Sequence, residues 1–382
     1  MSNKLVLASA GAGKSQMIVK DALDLVKDSS SKILILTYTE NNQKEILDKI
    51  CIEKKYLPSN IYIKGWFSFL LEDLIRPYQN CIFENRILGV FFNPSDPHMR
   101  NGRMISGRGE KVGKMYNELH YLTKNKDRVH TTYISKLASR INKESKGKPI
   151  ARLEQIYDSI LIDEVQDLVG WDFDLIEKLS KLETLSITCV GDFRQTIYTT
   201  NIGTKQPKTN IEKLNKFKNL GFSIENLNIS WRCVQSICDF ADKVHSAEGI
   251  YKKTESMNTD IPNEYLKHLG VFAIKQEHVK NYLELYKPVI LRVSKSTQKE
   301  LCKGNSNVNF GASKGLGFER VLIIPTDKQK KFLLGNYNVF DKDKTEKAKS
   351  SLYVAITRAK YSVAFIYDDE DELIDLERWL PN

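Results

Sequence analysis

The 382-residue chain has no apolar run approaching the roughly 20 residues that a membrane-spanning helix needs. No membrane partner is therefore expected. Its six cysteines, Cys51, Cys81, Cys189, Cys233, Cys238 and Cys302, form no C-x-x-C pair and no metal-ligand spacing. Reduced thiols in a cytoplasmic protein are the expectation. No internal repeat is present. The first residues read as a strand and a small-residue loop rather than as a secretory leader. A surplus of acid is also lacking, since the net charge is +10. The excess is local. Between His98 and Lys148 there are 13 Lys/Arg against 4 Asp/Glu. Such a block suggests a polyanion, nucleic acid first among them. A solvated basic insertion with no partner is the competing reading. At 41% hydrophobic the chain can bury real cores, and its length suggests two or three domains.

The most informative stretch is Leu5-Val6-Leu7-Ala8-Ser9-Ala10-Gly11-Ala12-Gly13-Lys14-Ser15. It reads as a buried strand, a loop of small residues, and a helix running through Leu25. This is the layout of a phosphate-binding loop. Small residues let backbone N–H groups curl around a phosphate, and the helix start adds its positive dipole end. Ala10, Gly11, Ala12 and Gly13 would form the cradle. Lys14 would reach the β/γ-phosphates, and the Ser15 hydroxyl would hold Mg²⁺. The strict pattern G-x-x-x-x-G-K-S/T is missed by one residue, because Ala8 stands at the first glycine.

Downstream, apolar runs alternate with helix-like stretches. Strands are predicted at Ile33–Thr37, Ile61–Ile63, Ser159–Ile162 and Leu185–Val190, and a further strand at Leu227–Ile229. A second unit follows with strands at Val271–Ile274, Val289–Val293, Val321–Ile324 and Ser362–Tyr367, and a helix from Lys347 to Arg358. Glu40–Ile50 and Trp66–Ile75 read as helices. The β-α-β-α order favours parallel sheets and an α/β fold. Arg76–Lys148 breaks the pattern with Pro77, Pro94, Pro97, a glycine-rich patch and the basic block. It reads as an inserted, mainly helical subdomain, with helices at Tyr116–Lys124 and Tyr133–Lys143. The expected domains are 1–75 with 151–229, an insertion at 76–150, and 230–382. The acidic tail Asp368–Glu377 reads as a solvated terminal helix.

A site that hydrolyses a nucleoside triphosphate needs a carboxylate for the metal and a group that orients or deprotonates water. The strand Ser159–Ile162 ends in Asp163-Glu164, and parallel strands present their C-terminal ends to the crevice that receives a phosphate loop. Asp163 would take the metal and Glu164 the water.

With these residues in place, the chain resembles superfamily 1A helicase motors of the UvrD/Rep/PcrA type. SAGAGKS (Ser9–Ser15) is similar to motif I, LTYTENNQKEI (Leu36–Ile46) to motif Ia, and IYIKGWFSFLL (Ile61–Leu71) to motif Ib. IDEVQD (Ile162–Asp167) resembles the DEAQD box, and VGDFRQTIY (Val190–Tyr198) motif III. LNISWRC (Leu227–Cys233) resembles motif IV. FGASKGLGFERVLI (Phe310–Ile323) resembles motif V, and LYVAITRAK (Leu352–Lys360) motif VI. The motifs run in order along most of the chain, the basic insertion excepted.

The resemblance implies two RecA-like lobes that hydrolyse ATP with Mg²⁺ at the cleft between them. It implies that Gln195 senses the γ-phosphate and that Arg232 and Arg358 are arginine fingers. It implies that Thr37, Tyr38 and Thr39 contact single-stranded DNA, with Trp66 and Tyr198 near the same track. For Trp66 and Tyr198, core packing is the competing reading. Departures are also visible. The glutamine motif that lies upstream in the family is not seen before the loop strand. Motif III continues Ile197-Tyr198-Thr199-Thr200-Asn201, without the family's tryptophan. Gly311 and Gly317 replace a histidine and a glutamate. Only 79 positions separate Arg232 from Gly311, which leaves no room for the family's large insertion.

Three functions follow. The first is a DNA-dependent ATPase that translocates 3′ to 5′ on single-stranded DNA, or on DNA with single-stranded ends. The second is a DNA-sensing ATPase subunit that regulates an OLD-type partner nuclease, as in Gabija-type anti-phage systems. The third is a degenerate scaffold that keeps the fold.

Overall fold

The computed structural model describes residues 3–27, 30–93, 95–197, 205–343, 345–369, 373 and 376–381. The chain divides into two units. One comprises Met1–Val6, Lys14–Gly191 and Tyr198–Glu225, and the other Leu7–Gly13, Asp192–Ile197 and Asn226–Asn382. The fold is α/β, with a six-stranded sheet at the heart of each.

The first sheet has the strand order Ser223–Leu227, Lys4–Ala8, Ser186–Gly191, Ser159–Ile162, Ile33–Thr37, Ile61–Gly65. Ser159–Ile162 pairs parallel with Ser186–Gly191 on one side and with Ile33–Thr37 on the other. Ile33–Thr37 pairs parallel with Ile61–Gly65. Every residue of Ile33–Thr37 and of Ser159–Ile162 is buried. Strands covered on both faces read as continuous apolar runs, which is why ILILT and SILI stand out in the sequence. The helix Glu40–Lys54 is capped by Thr39, whose side chain accepts from Asn42 N. It ends with Lys55 in a left-handed conformation. Trp66–Phe69 starts as α-helix and widens into π-turns over Leu70–Ile75.

The second sheet is ordered Asn307–Asn309, Val289–Arg292, Phe318–Ile323, Ala359–Ile366, Gly270–Ile274, Glu377–Arg378, and every pairing in it is parallel. The helix Lys347–Thr357 leads directly into the strand Ala359–Ile366. The tail differs from the solvated helix expected of it. Glu377–Arg378 adds a short strand beside Phe272 and Ala273, and Leu373 and Leu376 pack on the unit's core. Residues 370–372 and 374–375 lie outside those described.

Of the two helices its sequence suggests, Ile134–Glu144 is present, while the stretch Tyr116–Lys124 holds only one helical turn, Glu118–Tyr121, with Tyr116 in a strand and Leu122 in a bridge to Val129. It adds three short ladders: Gly89–Phe91 parallel to Arg128–His130, and the hairpins Met99–Arg100/Arg103–Met104 and Lys111–Val112/Met115–Tyr116. The first hairpin turns on Asn101 and Gly102, both at positive φ, the pair favoured by a tight primed turn. Among the described residues no helix is long and apolar enough to cross a membrane.

The insertion is tied together by Glu110. Its carboxylate receives Arg140 Nε at 2.6 Å, Lys136 Nζ at 2.9 Å and the Tyr121 hydroxyl at 2.8 Å. Burial pushes the carboxyl up, but the hydrogen bonds from Arg140, Lys136 and Tyr121 outweigh it and hold it at about 2. A lowered carboxyl pKa stabilises the fold above the unfolded value near 4.5, and the effect is lost as pH falls towards 2. Glu110→Gln is expected to cost about 1 kcal/mol at pH 7, a figure reduced for solvent screening at a half-open site. That cost should shrink steadily below pH 4.5 in urea unfolding. A cost independent of pH would contradict the assignment.

Candidate functional site

In the first unit, Lys14 opens the helix Lys14–Leu25 with Ser15 beside it. The strand Ser159–Ile162 delivers Asp163, which is 4% exposed, and its N–H donates to Leu36 O at 2.8 Å. Glu164 follows with φ +52, a left-handed conformation that turns the chain sharply at the strand end. Lys14 Nζ lies 3.8 Å from Glu164 Oε1. Gln166 Nε2 donates to the other carboxylate oxygen, Glu164 Oε2. Burial and then the neighbouring Glu164 charge push the Asp163 carboxyl up to about 7, against the pull of Lys14 and of the Glu164 N–H. A buried carboxylate with its charge penalised in this way fits a divalent cation, whose charge would offset both terms.

The turn after Glu164 is held from below. The fully buried Lys213 donates to Gln166 O at 2.5 Å. A Cβ at Gly191 would sit 2.3 Å from Gln166 Oε1, so a side chain at the end of the neighbouring strand would displace the Gln166 amide. Lys213 lies in the helix Asn210–Asn219, which was not singled out in the sequence.

The second unit holds the rest of the motif residues. The strand-to-loop segment is pinned at successive positions. Ser9 N donates to Leu227 O at 3.0 Å, Ala10 N to the Tyr353 hydroxyl at 3.3 Å, and Ala12 N to Ser9 O at 3.2 Å. Ser230 Oγ donates to Ala10 O at 2.7 Å, and Trp231 N to Gly11 O at 2.9 Å. Gly11 has φ +74, and a Cβ there would lie 2.7 Å from Arg232 Cβ and 2.9 Å from Ser230 Oγ. Gly13 is also at positive φ, beside the Trp231 indole. Trp231 is 60% exposed. Its flat ring next to the loop was missed, since the sequence singled out only the arginine that follows it.

Gln195 is buried, and its Nε2 donates to Asp192 Oδ2 at 2.7 Å. Arg358 is 1% exposed and donates to Gln195 Oε1 at 3.0 Å, to Leu316 O at 2.9 Å and to Val354 O at 3.2 Å. Arg232 donates to Thr357 O at 3.2 Å. A Cβ at Gly317 would approach Arg232 Nε to 3.4 Å, so a longer side chain there would press on the guanidinium. Gln195, Arg232 and Arg358 therefore belong to one connected neighbourhood through the segment Leu316–Arg358. Arg194, one position before Gln195, was not singled out. It is 2% exposed and joins Asp242 at 2.7 Å, Asp192 at 3.3 Å and the Ser9 hydroxyl at 2.8 Å, with Tyr353 and Tyr251 flanking its guanidinium.

The residues named for DNA are placed unevenly. Thr37 is 1% exposed, and its hydroxyl donates to Thr39 O at 3.1 Å. Thr39 is an exposed helix cap, and Tyr38 meets Phe67 edge-on at 5.7 Å. Trp66 is a correction. It is 2% exposed, and its indole N–H donates to the fully buried Asp172 at 2.8 Å. A buried tryptophan needs a partner for its one N–H, and with Asp172 and Phe69 around it the ring packs in the core. Tyr198 lies outside the described residues.

A family model described as the AAA domain matches residues 1–201. No curated protein matches the chain. Among solved structures similar to it is the helicase nonstructural protein 10 of an arterivirus, 12% identical. That match covers 96% of this chain and 59% of that one, with a TM-score of 0.46. The same arterivirus helicase in complex with DNA is 13% identical, with 96% and 60% covered and a TM-score of 0.47. The chain thus spans about three fifths of the length of these structures.

Gly11→Ala is expected to destabilise the protein by about 1–3 kcal/mol, the range for backbone strain combined with overpacking. Gly107, also at positive φ but with nothing within 4 Å of its Cβ position, is the control. Gly107→Ala should cost visibly less in denaturant unfolding. Equal costs would show that the contact with Arg232 and Ser230 does not matter.

Proposed function

The chain belongs to the AAA domain family, and from that premise we propose that it is an ATP hydrolase that moves on single-stranded DNA. In this reading it is a helicase or translocase of the UvrD type, working 3′ to 5′. The observation that supports it most is the meeting of Lys14 with the strand-end pair Asp163-Glu164, at 3.8 Å between Lys14 Nζ and Glu164 Oε1.

The roles follow from the chemistry of each group. The loop Ala10–Gly13 and Lys14 bind the phosphates of ATP. When nucleotide is present, Lys14 turns to the β/γ-phosphates and leaves Glu164 able to accept a proton from the attacking water. Ser15 and Asp163 are the residues that would hold Mg²⁺, which supplies charge neutralisation on the phosphates when bound. Magnesium commonly takes one or two carboxylates and keeps its other positions for water and substrate. Gln195 is proposed as the γ-phosphate sensor, and Arg232 and Arg358 as the arginines that stabilise the transferring phosphoryl group. Their planar forks suit phosphate oxygens. The exposed Trp231 ring, beside Gly13, is proposed to stack on the base.

We assign residues 1–75 and 151–229 to a first lobe, 76–150 to a basic insertion and 230–382 to a second lobe. The exposed cations of the insertion's hairpins, Arg100, Arg103, Lys111 and Lys114, are the first candidates for the DNA backbone. Tyr38 and Thr39 are the remaining candidates near the first sheet.

Glu164→Gln is the test. The variant should bind a fluorescent ATP analogue about as well as wild type, while turnover falls by roughly 10²–10⁴, the range for loss of a general base. The wild type should separate duplexes with a 3′ single-stranded tail in preference to those with a 5′ tail. Undiminished turnover in Glu164→Gln would contradict the assignment, and a 5′ preference would contradict the direction.

A further inference from the structure

We infer that the insertion carries a nucleotide subsite of its own, a cleft that seats one base and its phosphate from single-stranded nucleic acid. The inference rests on the nucleic-acid partner of the proposed function and adds a site that no motif marks. The cleft has a volume of about 480 Å³, and its wall includes Phe91, Arg108, Lys124, Asn125, Asp127 and Arg128. That is room for a nucleotide-sized group.

The wall combines an open apolar ring with open cations. Phe91 is 41% exposed. In the ladder of Gly89–Phe91 with Arg128–His130, Gly89 lies opposite Arg128 and Phe91 opposite His130. Alternate residues of a strand share a face, so the Phe91 ring and the Arg128 side chain stand on the same face. Arg128 Cγ comes within 3.9 Å of where a Gly89 Cβ would be. Lys124 and Asn125, both exposed, sit in a turn that Lys126 N closes on Thr123 O at 2.9 Å. Phe92, the next ring along the chain, is 71% exposed and meets Phe67 edge-on at 5.7 Å. Phe67 in turn meets Tyr38 at 5.7 Å. The insertion's aromatic pair is thus continuous with the ring proposed for DNA near the first sheet.

The charges select an anion. Arg108 donates to Leu119 O, a neutral acceptor, and among the described residues neither Arg108 nor Lys124 makes an ion pair. The wall's one carboxylate, Asp127, accepts from the Thr123 hydroxyl at 3.0 Å and lies 3.9 Å from Arg128 Nε. It balances at most one of three cations. A ligand that is flat at one end and anionic at the other satisfies both parts of the wall. Bases stack on an aromatic ring whatever their sequence, and guanidinium and ammonium groups take the phosphate. The site is also preformed. Thr131 N donates to Phe91 O at 3.0 Å, Leu88 N to Asp127 O at 2.7 Å and Thr123 N to Arg128 O at 2.9 Å. The buried His130 ring stands edge-on to Phe91 at 5.9 Å, with its Nδ1 3.1 Å from Asn93 Oδ1. A ring and turn fixed in this way bind with little reorganisation.

Fluorescence anisotropy of the full chain, without ATP, tests the site with two labelled probes: an oligothymidylate and an abasic deoxyribose-phosphate strand of the same length. Wild type should bind the oligothymidylate at least about tenfold more tightly, since only it carries bases to stack. Phe91→Leu keeps an apolar side chain and removes the ring. It should weaken oligothymidylate binding by about tenfold and leave the abasic strand unchanged. Lys124→Ala with Arg128→Ala should weaken both strands. It should also lower the slope of log affinity against log salt by about 1.4, for two phosphates on a single strand. A strand carrying 5-iodouracil should photocrosslink to the peptide that holds Phe91. Equal binding of the two strands by wild type would overturn the inference, as would an oligothymidylate affinity that Phe91→Leu does not change. If oligothymidylate binds and every substitution is silent, this inference fails alone. If neither strand binds, the nucleic-acid reading falls with it.

Discussion

At the end of Ser159–Ile162 the chain buries one carboxylate, Asp163, and places a second, Glu164, directly after it. Two such charges in a low-dielectric setting repel each other and lose hydration. The rise of the Asp163 carboxyl to about 7 is the measure of that conflict. Only cations relieve it. Lys14 is the one supplied by the loop-helix junction, at 3.8 Å from Glu164. At an effective dielectric of 20 that pair is worth roughly 4 kcal/mol of Coulomb energy, most of it offset by desolvation of the two groups. The arrangement is thus poised rather than satisfied. In the proposed reading, phosphate would draw Lys14 away and a divalent ion would be held at Asp163. The surrounding parts serve this poise: the parallel sheet that ends there, the left-handed turn at Glu164, the glycine at 191 and the buried Lys213 beneath Gln166.

The second unit handles buried charge in two different ways. Arg194 is compensated by Asp192 and Asp242, so its charge is spent inside the fold, where it anchors Ser9 and stiffens the loop segment. Arg358 is equally buried, and the contacts that orient it include the oxygens of Gln195, Leu316 and Val354.

Much of this was legible in the sequence, for identifiable reasons. Strands buried on both faces announce themselves as apolar runs, so Ile33–Thr37 and Ser159–Ile162 could be placed to the residue. That Lys14 and the Asp163-Glu164 pair lie together was legible because parallel strands end on the side where the loop-helix junction sits. What was not legible depends on three-dimensional context. Trp66 reads equally well as a base-stacking ring or as core, and only the buried Asp172 beside it decides. Arg194 is one charged residue in a motif until its two aspartate partners, one 48 positions away, are seen. Lys213 carries no signal in the sequence, because one of its partners, Gln166 O, is a backbone carbonyl. The insertion's hairpins were hidden by their two-residue strands, though Asn101-Gly102 was a turn signal that could have been used. The tail read as a solvated helix because its acidic residues outnumber Leu373 and Leu376, which pack on the core.

The central claim is that the poised Lys14–Glu164–Asp163 cluster hydrolyses ATP in response to DNA. ATP turnover with and without single-stranded DNA, wild type beside Lys14→Ala, tests it most directly. The account predicts turnover that single-stranded DNA strongly raises and that Lys14→Ala abolishes in both conditions. Turnover that ignores DNA, or that survives the loss of Lys14, would contradict it.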